Sequence, residues 1–483
     1  TKLILLNSNY LKQKMIEKIN IQSKTDKNYS QIFEFFSEET WETKKDIFDK
    51  NTSLFFSGKK NETFVIIKDE TIHFLIGIGK STAENHEIKS VAQKFAYDFR
   101  NKISATPTLL LAENLEKESI VKGLFLGTYE YPFSQNHLFF NDDFSLELED
   151  FSENISKNTL SLCNGQFAAM DWLNKPANYK KVPLISEFLK TISEKYGLKY
   201  SCFDRKKCEK LGLDAFLSVN QGSSQEAAFT ILEYNCGVEN AKTIGLVGKC
   251  VLFDTGGISI KPSANLHYMK SDMGGATAVI GALIIAAERK TPVNIIAILP
   301  ITDNAVANNA YLPSDVIKAY NGKTIEVLDT DAEGRMTLAD GLSYLSKNYK
   351  TDVLLDLATL TGNSVRMFGY TCGALFSNDK NLKNALENAG DKTNQRLWNL
   401  PLWDIWKDEI SSDVADYKNI SMKPFGDCIV AAKFLEQFIE NHSSWAHLDI
   451  AGVAFGNVSY AKEKAATGYG VELLTEFLET LEA

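Results

Sequence analysis

Residues 243–299 read TIGLVGKCVLFDTGGISIKPSANLHYMKSDMGGATAVIGALIIAAERKTPVNIIAIL, and this stretch decides the fold class. Thr243–Val247 and Cys250–Phe253 are apolar runs of strand length, Gly275–Arg289 has the pattern of a helix, and Asn294–Leu299 is a further strand. The alternation continues outward. Thr324–Leu328, Val353–Leu357 and Ala446–Val453 read as strands, and Gly334–Lys347, Lys380–Ala389 and Val430–Asn441 as helices. Strands alternating with helices predict an α/β domain with a mostly parallel central sheet flanked by helices, and a ligand site beyond the carboxyl ends of the strands.

Toward the amino terminus the character changes. Residues 1–150 are rich in Phe, Lys and Asn, with strand-like pieces at Thr63–Ile67 and His73–Ile78 joined by a polar turn at Lys68–Thr71. They predict a small α/β domain without recognisable chemistry. The acidic, Asn- and Ser-rich segment Ser134–Asn158 reads as a linker or surface excursion, and a helix over Leu160–Leu173 ends at Pro176. The expected organisation is an amino-terminal α/β domain (1–150), a linker helix (151–178) and a larger catalytic domain (179–483).

The chain has 483 residues, 44% of them hydrophobic and 24% charged, ample for a large core and unlike a disordered chain. Its 52 basic and 62 acidic residues give a net charge of -10, which supplies no global attraction to nucleic acid. The clean apolar run Ala278–Ala287 is far short of the roughly 20 residues that cross a bilayer. The opening residues Thr1–Asn7 are too short an apolar stretch for a signal-peptide core, so a cytoplasmic setting is expected. Seven cysteines, scattered at 163, 202, 208, 236, 250, 372 and 428 with no close pair, indicate buried thiols rather than disulfides or a thiolate zinc site.

The polar residues at the strand ends carry the chemistry. Lys249 and Asp254 bracket a strand, Thr255-Gly256-Gly257 turns, Lys261 follows, and Asp272 precedes the glycines that open a helix. The strand ending at Leu328 runs into Asp329-Thr330-Asp331-Ala332-Glu333-Gly334-Arg335. In an extended stretch side chains two apart share a face, so Asp329, Asp331 and Glu333 are expected to face one pocket. Three carboxylates in one small volume repel unless something positive separates them, and a divalent metal is the simplest candidate. Histidine is not expected among its ligands, since the six histidines form no HExxH pair. Carboxylate oxygens can bridge two cations about 3.5–4 Å apart. A lysine joins such a shell only as a neutral amine. Arg335 stands at a helix start, where backbone N–H groups already favour an anion.

Four blocks, VGK (Val247–Lys249), FDTGGISIKPS (Phe253–Ser263), MKSDMGGA (Met269–Ala276) and TDAEGR (Thr330–Arg335), resemble the signatures of the leucine aminopeptidase (M17, cytosol aminopeptidase) family. LNKPAN (Leu173–Asn178), ATLTG (Ala358–Gly362) and WAHLDIAGV (Trp445–Val453) agree as well. The resemblance covers about residues 165–480. It implies one tightly held cation on Lys249, Asp254, Asp272 and Glu333, and a more exchangeable one on Asp254, Asp331 and Glu333. Manganese or zinc is implied, with cobalt or magnesium as alternatives. It further implies Lys261 as the electrophile at the scissile carbonyl, Arg335 holding bicarbonate as general base, and Asp272 binding the substrate's free amino group. A pocket of Met269, Thr359, Gly362 and Ala451 would take a leucine or methionine side chain. The implied assembly is a homohexamer, and the implied partners are peptide substrates, with no membrane.

Four positions depart from the family pattern: Ala454 for methionine, Cys250 for glycine, Thr255 for serine and Asp329 for asparagine. Plainer readings exist for each residue alone. Asp331 and Glu333 could be helix-start acids, Lys249, Lys261 and Arg335 solvated charges, and Met269 and Thr359 core packing. Together, seven polar residues at the ordered spacings of one site outweigh these readings. His447 and Asp449 are expected to be structural. Competing functions are a metal-dependent phosphoesterase, for which no P-loop appears, a DNA-binding role through the amino-terminal domain, which the net charge disfavours, and a scaffold that has lost its activity.

Overall fold

The computed structural model describes residues 20–23, 30–103, 107–111, 115–131, 145–148 and 153–481. The opening residues Thr1–Asn7, and residues 134–144 and 149–152 of the acidic segment, lie outside the described residues. The chain divides into two compact units, Thr1–Asn164 with Ser459–Lys462, and Gly165–Val458 with Glu463–Ala483.

In the first unit β1 (Asn20–Ser23), β2 (Gln31–Ser37), β3 (Thr63–Lys68), β4 (Thr71–Gly79), β5 (Thr108–Leu111) and β6 (Ser145–Leu148) form one sheet in the order β1-β6-β5-β2-β4-β3. All pairs are parallel except the β3–β4 hairpin, whose turn residues Asp69 and Glu70 have φ of 49° and 65°, the conformation a two-residue turn demands. Helices α1 (Glu38–Lys44), α2 (Thr52–Phe55), α3 (Asn85–Asp98) and α4 (Lys117–Leu126) complete it. Its core is aromatic: Phe33, Phe74 and Phe95 meet edge to face with centroids 5.0–5.6 Å apart. Composition placed Ser145–Leu148 in a linker, yet it pairs between β1 and β5. Leu146 is fully buried, and the Glu147 carboxylate accepts from Thr108 Oγ1 at 3.0 Å, so a short acidic segment is held by its cross-strand partners.

Helix α5 (Glu153–Asn174) leads into the second unit. There follow α6 (Val182–Tyr196), β7 (Lys199–Phe203), α7 (Arg205–Leu211), α8 (Asp214–Asn220), β8 (Ala228–Tyr234), β9 (Thr243–Gly248), β10 (Cys250–Asp254), α9 (Gly274–Arg289) and β11 (Asn294–Asn304). Then come β12 (Val316–Lys318), β13 (Thr324–Glu326), α10 (Glu333–Asn348), β14 (Val353–Ala358), α11 (Gly362–Phe368), β15 (Gly373–Ser377), α12 (Lys380–Thr393), β16 (Leu397–Asn399) and β17 (Tyr417–Lys418). The last are α13 (Asp427–Leu435), β18 (Trp445–Asp449), β19 (Phe455–Gly456), β20 (Ala465–Ala466) and α14 (Val471–Thr480). The main sheet runs β16-β15-β18-β14-β9-β11-β8-β7, with β10 added to β11. Its central pairs are parallel, as is the edge pair β15–β16, and the antiparallel pairs are β15–β18, β11–β8 and β7–β8.

Successive residues of β9 place helices on both faces. Val247 packs against Gly341 of α10, whereas a Cβ on the next residue, Gly248, would stand 2.6 Å from Ala276 Cα in α9. Leu266–Arg289 has the length and apolarity to cross a membrane, but 83% of that window is buried within the protein, as a core helix should be.

Three predicted elements differ. Thr324–Leu328 forms only β13, in a small separate sheet with β12 and β17. Beyond Glu326 the backbone donors of Leu328 and Asp329 go to the side-chain oxygen of Asn419, which ends the ladder. Ala446–Val453 stops as a strand at Asp449, whose carboxylate turns back to bind Leu360, Thr361 and Ala451 N–H groups. The helix predicted for Val430–Asn441 is α13 followed by a 3-10 turn at Glu436–Phe438.

Candidate metal centre and active site

Lys249 links β9 to β10, and its backbone is pinned on both sides: its N–H donates to Leu357 O (3.0 Å) and its carbonyl accepts from Ala276 N (3.0 Å). Its side-chain stem lies on Gly334, where any Cβ would come within 2.5 Å of Lys249 Cε. Asp254 closes β10, Asp272 follows a 3-10 turn at Leu266–Ser271, and Glu333 is the first residue of α10. These three carboxylates each offer an oxygen within 4.8 Å of the others, a set that could hold a metal ion. Lys249 Nζ bridges Asp272 Oδ1 (2.7 Å) and Glu333 Oε1 (2.8 Å) and donates to Thr359 O (3.0 Å). Lys261 Nζ meets Asp254 Oδ2 (2.8 Å) and Asp331 Oδ1.

Burial separates an inner wall from a mouth. Lys249, Asp254 and Glu333 are at most 2% exposed, whereas the side chains of Lys261 and Asp331 are 20% and 32% exposed. Burial, reinforced by neighbouring carboxylates, raises the pKa of Asp254, raises that of Asp272 well above its usual value, and lifts Asp331 to about 7. Glu333 goes the other way: burial is outweighed by the ammonium groups of Lys249 and Lys261, which hold it low. Both lysines are pushed up in turn, because the carboxylates outweigh the penalty of burying their charge.

The two lysines do not satisfy every oxygen. Asp272 Oδ2 and Glu333 Oε2 are buried without a hydrogen-bond donor among the described residues. A buried, unpartnered carboxylate oxygen is costly, and a cation relieves that cost. The donor set is carboxylate oxygen plus one amine, with no thiolate or imidazole, which suits hard divalent cations such as Mg²⁺ or Mn²⁺ and tolerates zinc. The residues therefore fit the metal they were expected to hold.

The loop geometry is more folded than an extended strand. Thr330 and Asp331 form a turn, and Asp329 turns its carboxylate onto Asp331 N–H (2.8 Å) instead of sharing the face of Asp331 and Glu333. An Asp at that position serves its own turn. Gly256, at φ 88°, lies where a Cβ would stand 2.5 Å from Ser259 O and 2.8 Å from Asp331 Oδ1.

Thr359 Oγ1 donates to Asp272 Oδ1 (2.8 Å), placing the rim beside the wall. A Cβ on Gly274 would stand 2.9 Å from both Thr359 Cγ2 and Ala454 Cβ, which draws those two side chains together at the start of α9. Met269 is half-buried in the 3-10 turn, Ala451 half-buried after β18, and Gly362 exposed at the start of α11 with open space where a Cβ would go. Arg335, 3% exposed, donates to Asn419 O (2.6 Å) and Asp427 Oδ1 (3.2 Å), while its Nε is buried with no hydrogen-bond partner among the described residues. Cys250 is fully buried, and burial pushes its thiol up to about 12. Thr255 Oγ1 donates to Asn304 O (2.9 Å). His447 Nδ1 pairs with Asp356 (2.6 Å) inside the core, beneath Trp445, whose Nε1 binds the same carboxylate.

Sequence reasoning missed the residues that hold these loops. Asn304 Nδ2 donates to Asp254 Oδ1 (2.8 Å) and Thr330 O (3.0 Å), and Tyr311 Oη donates to the same Thr330 carbonyl (2.8 Å). Thr330 and Ser259 exchange hydrogen bonds, tying the Lys261 loop to the Asp331 turn. Asn304 had a signal, a polar residue ending the apolar run of β11. Asn419 had none.

Residues 167–475 match the cytosol aminopeptidase family, catalytic domain. Similar curated proteins are a probable cytosol aminopeptidase of Chloroherpeton thalassium, 44% identical over 66% of this chain and 62% of that protein, and one of Rickettsia canadensis, 38% identical over 90% of this chain and 91% of that protein. The match thus spans less than two thirds of the Chloroherpeton relative's length. Among solved structures, the bottromycin maturation enzyme BotP in complex with Mn superposes with a TM-score of 0.86 at 27% identity, covering 94% of this chain and all of that one. On the matched residues and the shared architecture, the chain belongs to the M17 cytosol aminopeptidase family.

Proposed function

We propose that the protein is a metal-dependent aminopeptidase of the leucyl type, removing amino-terminal Leu, Met and other apolar residues from peptides. The observation that carries this reading is the buried cradle of Asp254, Asp272 and Glu333, with Lys249 inside it and Lys261 at its mouth. Lys249, Asp254, Asp272 and Glu333 would hold the tighter cation, and Asp254, Asp331 and Glu333 the more exchangeable one, with manganese or zinc the expected occupants and cobalt or magnesium alternatives. Bound there, divalent cations supply Lewis acidity, polarising a carbonyl and making water a competent nucleophile near neutral pH.

The chain's own residues do the rest. Asp272 receives the substrate's free amino group, which restricts cleavage to the first residue. Met269, Thr359, Gly362 and Ala451 receive the first side chain in a largely apolar recess. Lys261, on the exposed side of the cradle, presents its ammonium to the scissile carbonyl oxygen and stabilises the charge that develops there. Arg335 holds a bicarbonate ion through donors such as its unpartnered Nε, keeping a proton acceptor beside the water. A cytoplasmic, homohexameric enzyme acting on peptides completes the proposal.

The test is release of leucine from leucine amide, lost with a chelator and restored by adding back Mn²⁺ or Zn²⁺. Activity that survives chelation, or that cleaves amino-terminally acetylated peptides equally well, overturns it.

A further inference from the structure

A second buried lysine of the same unit has no role in the chemistry above. Lys180, between the 3-10 turn Ala177–Tyr179 and α6, is 1% exposed. Its Nζ donates to Leu173 O (2.9 Å) and to Lys270 O, and it makes no ion pair among the described residues. Leu173 O belongs to the last turn of α5, where carbonyls lack an intrahelical donor and a polar N–H group is favoured. Lys270 returns the contact: its Nζ donates to Asn174 O (3.1 Å), and the Asn174 side chain accepts from Ala466 N (2.9 Å). Two lysines therefore cross-link the end of α5 to the turn Leu266–Ser271. That turn carries Met269 and runs directly into Asp272.

The chemistry of Lys180 suits a clamp rather than an ion pair. Burial, with the nearby charge of Lys270, drives its pKa well below that of an ordinary lysine. Two carbonyls are present to take its N–H donors, and no carboxylate pairs with it among the described residues.

We propose that Lys180 is a positioning residue, clamping the turn Leu266–Ser271 to the end of α5 and so fixing where Met269 and Asp272 meet the substrate's first residue. Its kinetic consequence rests on the aminopeptidase reading. The clamp itself does not.

Two variants test it. Lys180→Met removes both donors at nearly unchanged length, and Lys180→Gln keeps two donors on a shorter, uncharged side chain. In the Met variant, hydrogen exchange over residues 266–273 is expected to accelerate about tenfold, with the other core segments unchanged. The KM for leucine amide should rise about tenfold and the preference for leucine over alanine amide fall by about as much, with kcat little changed. The Gln variant should fall between. A merely structural role would lower the active fraction for both substrates alike and leave KM and preference where they were, and that result overturns the proposal. So does unchanged exchange at 266–273 in a folded variant, or identical behaviour of Met and Gln. Should the Met variant fail to fold, exchange in the Gln variant decides: acceleration confined to 266–273 supports the clamp, and none or a uniform one overturns it. If no aminoacyl amide is hydrolysed by the unmutated protein, the aminopeptidase reading fails while exchange still judges the clamp.

Discussion

Both units are built on mostly parallel sheets with helices, yet they fill their buried volume differently. The first fills its core with Phe33, Phe74 and Phe95 and keeps ion pairs such as Lys60–Glu87 at the surface. The second buries Lys249, Asp254, Asp272 and Glu333 together beyond the ends of its strands. Architecture alone does not distinguish them; the polar groups at the strand ends do, which is why function follows the site and not the fold.

Four experiments break or sharpen that contrast. The largest effect is expected from Asp254→Ala and Glu333→Ala, each of which removes a carboxylate shared by both proposed cations and should abolish hydrolysis; elemental analysis finding two tightly held cations in an active variant would contradict it. Arg335→Ala should keep its metal and lose about 10²- to 10⁴-fold in rate, the range of a positioned general base. Added bicarbonate should speed carbonate-depleted unmutated enzyme and leave this variant nearly unmoved, and equal activation of the two would remove Arg335 from the mechanism. Lys261→Ala should retain both cations and lower kcat by about 10²- to 10³-fold, as loss of an oxyanion donor does; a change in KM alone would recast Lys261 as a binding group. Phe95→Ala should cost the first unit about 3–5 kcal/mol on denaturant unfolding. The KM of the folded protein for leucine amide should stay put, and a shifted KM would blur the division between an aromatic core and a polar site.

Long apolar elements were legible from the sequence. Gly274–Arg289 and Glu333–Asn348 were placed to within a residue at each end, since their periodicity is sustained over four turns. Short elements were not. The end of β13 is set by Asn419, about 90 residues away in sequence, and β6 by Thr108 and its neighbouring strands. The acidic and basic residues gathered in the cradle were all readable as candidates, because carboxylates at strand ends stand out against apolar runs. The side-chain direction of Asp329 was not, because a turn replaced the assumed extended backbone. Asn304 carried a local signal as the polar end of an apolar run, but its partners did not; Thr330 and Lys180 carried none, because their partners are backbone carbonyls or distant side chains, which local pattern does not encode.

The hydrogen bond from Lys249 N–H to Leu357 O, with that from Lys249 Nζ to Thr359 O, has a consequence in time. Strand β9 lies between β11 and β14, so one of its edges stays open until residues more than a hundred positions later are made. The separation from Lys249 to Thr359 is 110 residues, or roughly 5–20 s at a translation rate of about 5–20 residues per second. For the last 26 residues of that interval, from Glu333 to Thr359 and roughly 1–5 s at that rate, a nascent chain already holds Asp254, Asp272 and Glu333, but not all of the segment that anchors the lysine among them. Chains arrested between Glu333 and Val353 would carry the acids without the scaffold that gathers them, and the open edge of β9 would be available to pair with another chain.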